Sequence, residues 1–381
     1  MATPEREVFG WDIGGAHVKA CRSQRGEVAE VVQWACSLWQ GMDQLAAVLQ
    51  EAHARWPGLG EAQHAVTMTG EMVDLFANRE DGVRRIAAEF EQGLLMGSST
   101  PDAVHFYAGD AGWCSSAEVA THWEAIASAN WLATARHAAL STAKNDHEDG
   151  ILVDIGSTTT DQIAFRGGRV LTTSRTDAQR LASGELVYHG VVRTPLCALA
   201  QRIDWRGMPH NVMNEFFATT ADVYRLTGEL NPAHDLHPSA DNAPKDTLST
   251  CQRLARMVGL DQRDAAADEW LDFARSWRSA QVAELGGQLR RVMAAHGLSR
   301  NAVVVSAGCG DFLVADVLTQ ARVGDGGGDG DGKSGGQILA YGCEIAHVSA
   351  HARPDRRINQ AWAQVCAPSV AVAALFDQDH R

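Results

Sequence analysis

Two segments of the sequence combine an aspartate with small residues in a pattern that suits phosphate binding. Asp12 ends one apolar run and precedes two glycines, and Asp154 ends another and precedes Gly156. Glycine lets backbone N–H groups approach an anion closely, and the Ser and Thr hydroxyls after Gly156 add donors. A third glycine-rich segment surrounds Cys309. The predicted phosphate-binding residues are Gly14, Gly15, Lys19, Gly156, Ser157, Thr158, Thr159, Thr160, Gly308 and Gly310.

The aspartates at these positions predict a metal ion as well as a phosphate. A carboxylate repels a phosphate, so Asp12 and Asp154 make chemical sense beside one if Mg²⁺ or its waters lie between them. Either loop alone is more simply interpreted as a hairpin with an aspartate at its turn. The two loops together, with the third glycine-rich segment, favour a phosphate or nucleotide site. Asp12 and Asp154 are the predicted metal ligands, and Mg²⁺ is the expected cofactor.

The elements that must position these loops occur twice along the chain. A strand, an Asp-Gly turn, a strand, a Gly turn and a third strand follow one another at 7–34 and again at 149–173. This repetition indicates an internal duplication. The periodicity of apolar residues predicts helices over 42–55, 72–90 and 369–376, and a strand over 337–343.

The pattern predicts an α/β fold with two domains, each a mixed sheet flanked by helices, and a cleft between them. We expect the domains to be 1–148 and 149–381. The second domain would carry a helical insertion at about 195–300, and a return of the C-terminal helix to the first domain is left open. Gly and Asp dominate 324–336, which predicts a flexible loop. Its match to the phosphate-loop pattern at 327–334 is interpreted as accidental, because a true phosphate loop follows a buried strand.

Composition excludes several classes of function. The chain has 381 residues and a formal net charge of −14, which argues against nucleic-acid or anionic membrane partners, since both need clustered Lys and Arg. Its 8 Cys form no CxxC pair and indicate reduced thiols. The polar N-terminus has no apolar segment of a signal peptide, and no run is long enough to be a membrane helix. We therefore expect a cytoplasmic protein that acts on small molecules, with homo-oligomerisation left open.

The two Asp-Gly loops and the third glycine-rich segment together resemble the actin, Hsp70 and sugar-kinase superfamily. That resemblance implies two ribonuclease-H-like domains that face one another across a cleft. In the superfamily the two Asp-Gly hairpins hold the phosphates of a nucleotide, and the third segment contacts adenosine.

Longer strings resemble one branch of this superfamily. This branch is the hydantoinase/oxoprolinase-like family often labelled "tetrahydromethanopterin-linked C1 transfer pathway protein". The similar residues cover nearly the whole chain, from about Phe9 to Phe376. The resemblance is carried by 152–161 (LVDIGSTTTD), 175–177 (RTD), 183–188 (SGELVY), Gly190, 193–195 (RTP), 217–224 (FATTADVY) and 367–371 (APSVA). The strings from 152 to 224 are the specific ones.

This resemblance implies a transferase of methanofuran or methylofuran biosynthesis. Its archaeal relatives are similar to the enzyme that joins an aminomethylfuran diphosphate to a tyramine phenol and releases diphosphate. The phosphorylated furan and a tyramine- or tyrosine-type phenol are then the expected partners. In a bacterium the product would support formaldehyde oxidation through tetrahydromethanopterin, a methylotrophic role.

The transfer would need the charge of the leaving group neutralised, the phenol positioned and its proton accepted. The candidate catalytic residues are Asp12, Asp154, Asp161, Asp177 and Glu71. The candidate substrate-binding residues are Arg175, Glu185, Tyr188 and Arg193. Simpler roles stay open for some of these: a surface ion pair for either arginine, a core position for Tyr188 or Tyr224, and a helix cap for Thr69 beside Glu71.

Two other functions stay open at this point. An ATP-dependent small-molecule kinase or lactam hydrolase would keep the fold and change the reaction. A nucleotide-binding regulatory protein of the Hsp70 type would lack the reaction altogether. ATP binding is left open, because Ala16 and His17 replace the small hydroxyl residues that many superfamily members carry in the first loop.

Overall fold

A computed structural model describes residues 7–95, 103–145, 147–322 and 336–380. The chain forms two compact units. Unit 1 comprises Met1–Glu148, Phe165–Thr176 and Leu339–Arg381, and unit 2 comprises Asp149–Ala164 and Asp177–Ile338. Unit 1 therefore consists of three separate segments of the chain. A single boundary between residues 148 and 149 would assign only the first of them to this unit.

Unit 1 is built on a six-stranded mixed sheet in the order β3-β2-β1-β4-β5-β6. Strands β1 to β3 form an antiparallel meander, β4 and β5 run parallel to β1, and β6 returns antiparallel to β5. Its strands are β1 Glu7–Ile13, β2 His17–Gln24, β3 Glu27–Ala35, β4 Gln63–Met68, β5 Val104–Tyr107 and β6 Trp113–Ser115. Its helices are α1 Asp43–Arg55, α2 Arg79–Leu94, α3 Val119–Ile126, α4 Asn130–Ala143, α11 Arg356–Val365 and α12 Ala367–Asp379.

The two faces of β1 are buried by different elements. Alternate residues Phe9, Trp11 and Ile13 are all buried in one apolar cluster together with residues of α1 and α2. The other face includes Gly10, where an added Cβ would lie 2.0 Å from the carbonyl oxygen of Ser369. Helix α12 therefore packs directly on β1, and the lack of a side chain at Gly10 permits this approach.

The second sheet has the order β10-β8-β7-β13-β14, with the short strand β9 paired to β8. Its two central strands, β7 and β13, are parallel. The strands are β7 Asp149–Ile155, β8 Thr160–Arg166, β9 Arg169–Val170, β10 Leu186–Val187, β13 Val303–Ala307 and β14 Ile338–Ala340. The helices of unit 2 are α5 Asp177–Ser183, α6 Leu196–Leu199, α7 Thr220–Thr227, α8 Thr247–Arg256, α9 Ala267–Ala295 and α10 Val314–Arg322.

The region 195–300 is largely helical and also contains a small hairpin. Strands β11 Arg202–Trp205 and β12 Met208–Asn211 pair antiparallel. Trp205 stacks on Trp270 of α9, with ring centroids 4.7 Å apart. The long helix α9 thus anchors the hairpin as well as supporting α7 and α10.

Three local expectations need correction or fall outside the structure. Helix α2 begins at Arg79 rather than at residue 72, because Asn78 caps it by accepting a hydrogen bond from Asp81 N at 2.9 Å. The strand expected over 337–343 is limited to β14, since Tyr341–Ile345 forms a single π-helical turn. The loop predicted at 324–336 lies outside the described residues except for Gly336. Within the described part of the chain, no helix has the length and apolar content needed to cross a bilayer.

Candidate functional site

The first Asp-Gly loop closes at the carboxyl end of β1. Gly14 N donates to His17 O at 2.9 Å and turns the chain from β1 into β2. Asp12 is only 4% exposed, and its Oδ2 lies 3.6 Å from Lys19 Nζ. Burial raises the pKa of the Asp12 carboxyl above its ordinary value, and the Lys19 ammonium partly offsets this. The loop therefore holds a carboxylate at a position where its charge is costly.

Asp12 also has a polar neighbour that the sequence pattern does not indicate. Thr67 on β4 is the register partner of Asp12 and is fully buried. Asp12 Oδ1 and Thr67 Oγ1 are both buried, and neither has a hydrogen-bond partner among the residues that the structure describes. Two such oxygens on adjacent strands mark a place that a bound polar group would satisfy. Thr67 could have been found only from the β1–β4 register, because 55 positions separate it from Asp12.

Asp12 fits the Mg²⁺ that the sequence predicts. Magnesium usually takes one or two carboxylates and completes its shell with water and substrate phosphates, so it needs no dedicated protein cage. The unpartnered Oδ1 of Asp12 is an oxygen of that kind. Among the described residues no group of three or more His, Cys, Asp or Glu is arranged to hold a metal alone. The metal would therefore depend on a phosphate ligand for most of its coordination.

The second Asp-Gly loop, in unit 2, is held by the chain that follows β10. Gly156 N donates to Thr159 O at 2.8 Å, which closes the turn. Ser157 O accepts from Val192 N at 3.0 Å and from Arg193 N at 2.8 Å. A Cβ on Gly190 would lie 2.4 Å from Ser157 C and from Thr158 N. Backbone contacts thus hold the loop, and the buried Thr160 hydroxyl adds a hydrogen bond by donating to His189 O at 2.7 Å. Thr160 Oγ1 therefore has a structural role, and its predicted role in phosphate binding is not supported.

The third glycine-rich segment packs against the same strand end. Gly310 N donates to Ile155 O at 2.8 Å. Gly308 has a φ of +87°, and a Cβ there would lie 2.6 Å from Asp154 Oδ1. Within unit 2 the structure therefore brings together Asp154, the loop after it and the Gly308–Gly310 segment, as expected for a small anion-binding edge. Their roles in binding stay a prediction.

Two of the predicted catalytic carboxylates are committed to an ion pair. Arg180 is buried and contacts Asp161 through Nη1 and Asp177 Oδ1 through Nη2, the latter at 2.7 Å. Its side chain is 4% exposed. A buried guanidinium needs such partners, and a carboxylate held in this way is a poor acceptor for a substrate proton. Arg180 was absent from the predicted site, because the sequence does not show that α5 turns it toward β8.

Glu71 and Glu185 are buried and hydrogen-bonded. Glu71, which is 1% exposed, accepts from Ser128 Oγ at 2.6 Å. Glu185 accepts from Ser183 Oγ at 2.8 Å and lies 3.1 Å from His296 Nε2. Thr69 forms no side-chain cap, so the alternative of a helix cap beside Glu71 is wrong. The helix that it was expected to cap begins ten residues later, at Arg79.

The remaining substrate-binding candidates separate into different environments. Arg175 donates through Nε to Asp110 Oδ2 at 2.9 Å, which is the ion-pair alternative considered for it. Arg193 is half-buried, and burial lowers the pKa of its guanidinium while nearby Tyr188 partly offsets the shift. Tyr188 is 63% exposed, whereas Tyr224 is a core residue whose hydroxyl donates to Gln281 Oε1 at 2.7 Å. The aromatic-core alternative therefore holds for Tyr224 and is wrong for Tyr188.

Comparison with known proteins identifies two archaeal relatives with the same name. The (4-{4-[2-(gamma-L-glutamylamino)ethyl]phenoxymethyl}furan-2-yl)methanamine synthase of Methanocaldococcus jannaschii is 28% identical over 316 residues, which cover 83% of this chain and 90% of the relative. The protein of that name from Methanococcus vannielii is 29% identical over 178 residues, covering 47% of this chain and 78% of the relative.

Among solved structures, nucleotide-free acetone carboxylase aligns with a TM-score of 0.54 at 12% identity, over 83% of this chain and 67% of that one. A ROK family glucokinase from Streptomyces griseus aligns over 98% of this chain and 99% of that one at 16% identity, with a TM-score of 0.46. The predicted α/β fold class is confirmed, because the chain forms two sheets flanked by helices and shares its fold with acetone carboxylase. The family model for hydantoinase/oxoprolinase matches residues 63–352. This chain belongs to the hydantoinase/oxoprolinase family.

Proposed function

We propose that this protein is a transferase that joins an (aminomethyl)furanyl-methyl diphosphate to the phenol oxygen of a tyramine- or tyrosine-type acceptor, in methanofuran or methylofuran biosynthesis. The observation that carries the proposal is the similarity to the M. jannaschii synthase over 90% of that protein's length. The name of that relative contains a phenoxymethylfuran, which is the aryl ether that such a transfer would form. The strand-end loops around Asp12 and Asp154 are consistent with a diphosphate as leaving group.

The reaction exchanges one carbon–oxygen bond for another. The bond between the furfuryl carbon and the diphosphate oxygen breaks, and the phenol oxygen bonds to that carbon. The phenol proton and the diphosphate are released. The furan oxygen stabilises positive charge on the reacting carbon, so the main tasks of the protein are to neutralise the leaving group and to position the phenol.

The described residues supply groups suited to the leaving diphosphate. The loop after Asp154 would donate backbone N–H and hydroxyl hydrogen bonds, and Arg193 would add positive charge beside it. Asp12 in unit 1 and Asp154 in unit 2 are each suited to hold Mg²⁺, which would neutralise charge on the diphosphate. Lys19, which pairs with Asp12, would contribute a further positive charge.

Most carboxylates considered as the base already have structural partners. Asp161 and Asp177 pair with Arg180, and Glu71 accepts a hydrogen bond from Ser128. The released diphosphate can accept the phenol proton itself, since a phosphate group titrates near pH 6 in its second ionisation. The proposal therefore assigns no proton transfer to Asp161 or Asp177.

A product assay by mass spectrometry tests the proposal. Purified protein, Mg²⁺ and the aminomethylfuran-methyl diphosphate are mixed with a tyramine-type or a tyrosine-type phenol, without ATP. We expect an ether product and stoichiometric diphosphate, and a loss of about 100-fold or more in rate for Asp154→Asn. Asp272→Asn is the matched control, because Asp272 is exposed on α9 and its ion pair is with the exposed Arg275.

Two outcomes would overturn the proposal. One is the absence of ether with both phenols while the donor stays intact. The other is ADP formation that requires a small-molecule substrate once ATP is added, which would assign the protein to the ATP-dependent kinase or lactam-hydrolase alternative.

A further inference from the structure

Unit 1 contains a cavity of about 310 Å³ at the carboxyl edge of its sheet. One wall is the turn after β5, which includes Gly109 and Asp110, and another is the end of α3 at Glu124. Alanines and the first turn of α4, with Trp131, form the apolar lining. This volume is at the small end for ligand sites, so the cavity suits one ring with short substituents.

The charged groups around the cavity favour a cation. The lining includes two carboxylates, of Asp110 and Glu124, and one guanidinium, of Arg175. Arg175 is already engaged: its Nε and Nη2 contact Asp110 Oδ2 at 2.9 and 2.8 Å, and its Nη1 donates to Thr172 O at 2.8 Å. The end of α3 and the start of α4 both lie at this wall, so their opposite helix-dipole charges offset one another and the side chains decide the balance. The local balance is therefore negative.

One wall of the cavity is fixed by a buried hydrogen bond. Ser128, between the lining residues Ala127 and Ala129, has a φ of +50°, which is uncommon for a residue with a side chain. Its hydroxyl donates to Glu71 Oε1 at 2.6 Å. Glu71 thus lies behind the wall and acts as a positioning residue for it.

We propose that this cavity binds a primary ammonium group carried on a small flat ring, and that its occupant is the aminomethylfuran end of the donor. This inference rests on the function proposed above. The cavity follows β5, which is two strands from β1 and its Asp-Gly loop in the same sheet. Two strand spacings amount to about 10 Å, and a disubstituted furan with its diphosphate spans a comparable length. The amine and the diphosphate of one donor would then occupy neighbouring positions on one sheet edge.

Direct binding of a fragment tests the cavity without any reaction. Furfurylamine is titrated into the full-length protein by calorimetry or saturation-transfer NMR, with neutral furfuryl alcohol as the comparison. We expect the amine to bind more tightly, and Asp110→Asn with Glu124→Gln to weaken it about tenfold together. Glu51→Gln, an exposed change on α1, should leave the affinity unchanged. Equal binding of amine and alcohol to wild type would overturn the proposal.

Arg175→Met distinguishes a cation site from an anion site. If the cavity holds an ammonium, removing the guanidinium leaves furfurylamine affinity equal or greater, because Asp110 is released from its pair. If the cavity instead holds the α-amino-acid end of the acceptor, γ-glutamyltyramine binds wild type and loses affinity in this variant, while furfurylamine does not bind. That second result would overturn the proposal.

Turnover provides a separate readout that a purely structural role would not change. Wild type should prefer the aminomethyl donor to its hydroxymethyl analogue in kcat/KM, and the Asp110→Asn, Glu124→Gln variant should reduce that preference about tenfold. If ether forms but the preference is the same in the variant, the cavity inference fails and the proposed function stands. If no ether forms at all, the proposed function fails, and furfurylamine binding still decides the cavity.

Discussion

At the scale of single residues, identical side chains have different uses that depend on their neighbours. Asp12 is buried with an unpartnered oxygen, whereas Asp161 and Asp177 share the buried Arg180. All three lie within one residue of the end or start of an element, so their chemistry looks alike in the sequence. The structure separates one carboxylate with spare bonding capacity from two that stabilise the fold.

We expect Asp12→Asn to make the protein more stable and less active. Because burial raises the pKa of Asp12, the folded state favours the protonated form, and wild type loses stability as pH rises from the unfolded value of 3.8 through the folded pKa. The variant avoids this cost, so its free energy of unfolding should exceed that of wild type by about 1 kcal/mol at pH 8, and the difference should shrink toward pH 4. Thermal melts at pH 8 and at pH 4 measure this difference, with Asp272→Asn as control. A lower melting temperature at pH 8 would mean that the Lys19 pair outweighs desolvation.

We expect Asp177→Asn to retain activity and to lose some stability. Arg180 keeps Asp161 as partner in this variant, so kcat/KM should stay within about threefold while the unfolding free energy falls by about 1 to 2 kcal/mol. Arg180→Met should lower the free energy of unfolding further, by about 3 to 5 kcal/mol, because it leaves two carboxylates without their cation. Urea denaturation measures the stability of both variants, and steady-state kinetics measures their activity. A 100-fold loss of kcat in Asp177→Asn with unchanged stability would instead indicate that Asp177 is the base.

At the scale of elements, the site depends on loops that are braced by other loops. The loop after Asp154 has its backbone carbonyls bonded to the chain at 191–193, and the Gly308–Gly310 segment bonds to the end of β7. Most of these contacts are between backbone groups, and one hydroxyl, that of Thr160, adds a hydrogen bond to His189 O. Substitutions in the bracing segments should therefore affect binding as strongly as substitutions in the loop itself.

Gly190→Ala should displace this loop. The new methyl group would lie 2.4 Å from backbone atoms of Ser157 and Thr158, which cannot rotate away. We expect a loss of about 2 to 3 kcal/mol in stability and a rise of about tenfold or more in KM for the diphosphate donor, with a smaller change in KM for the phenol. In Gly287→Ala, on α9, the methyl group meets open space and should stabilise by about 0.5 to 1 kcal/mol. Equal changes in both KM values would argue against a loop dedicated to the donor.

At the scale of the whole molecule, unit 1 is assembled from distant segments. Helix α12 packs on β1 at Gly10, and its Phe376 contacts His105 of β5 with ring centroids 4.7 Å apart. A fragment of residues 1–148 lacks helix α12, which packs on this face of the sheet. We expect that fragment to show no cooperative thermal transition and poor dispersion of its NMR spectrum, because one face of the sheet would be exposed. Adding 149–381 in trans should restore a transition. A cooperative melt of the fragment alone would show that α12 is dispensable.

Features that depend on the order of neighbouring residues can be predicted from the chain alone. The two strand–Asp–Gly units were predictable because a strand, its turn and the hairpin that follows are adjacent residues. The fold class and the family followed from these units and from longer strings such as 152–161, and both are confirmed.

Contacts between side chains that are distant in the sequence depend instead on how the elements pack. Asp110 and Arg175 are 65 positions apart, and Glu71 and Ser128 are 57 apart. Arg180 reaches Asp161 only because α5 packs beside β8 and β10. No local pattern specifies such pairs, since each depends on where two separately formed elements pack, and that is set by the burial of the whole apolar core. For this reason the loops of the site were predictable, while the roles of its carboxylates and the cavity beside β5 were not.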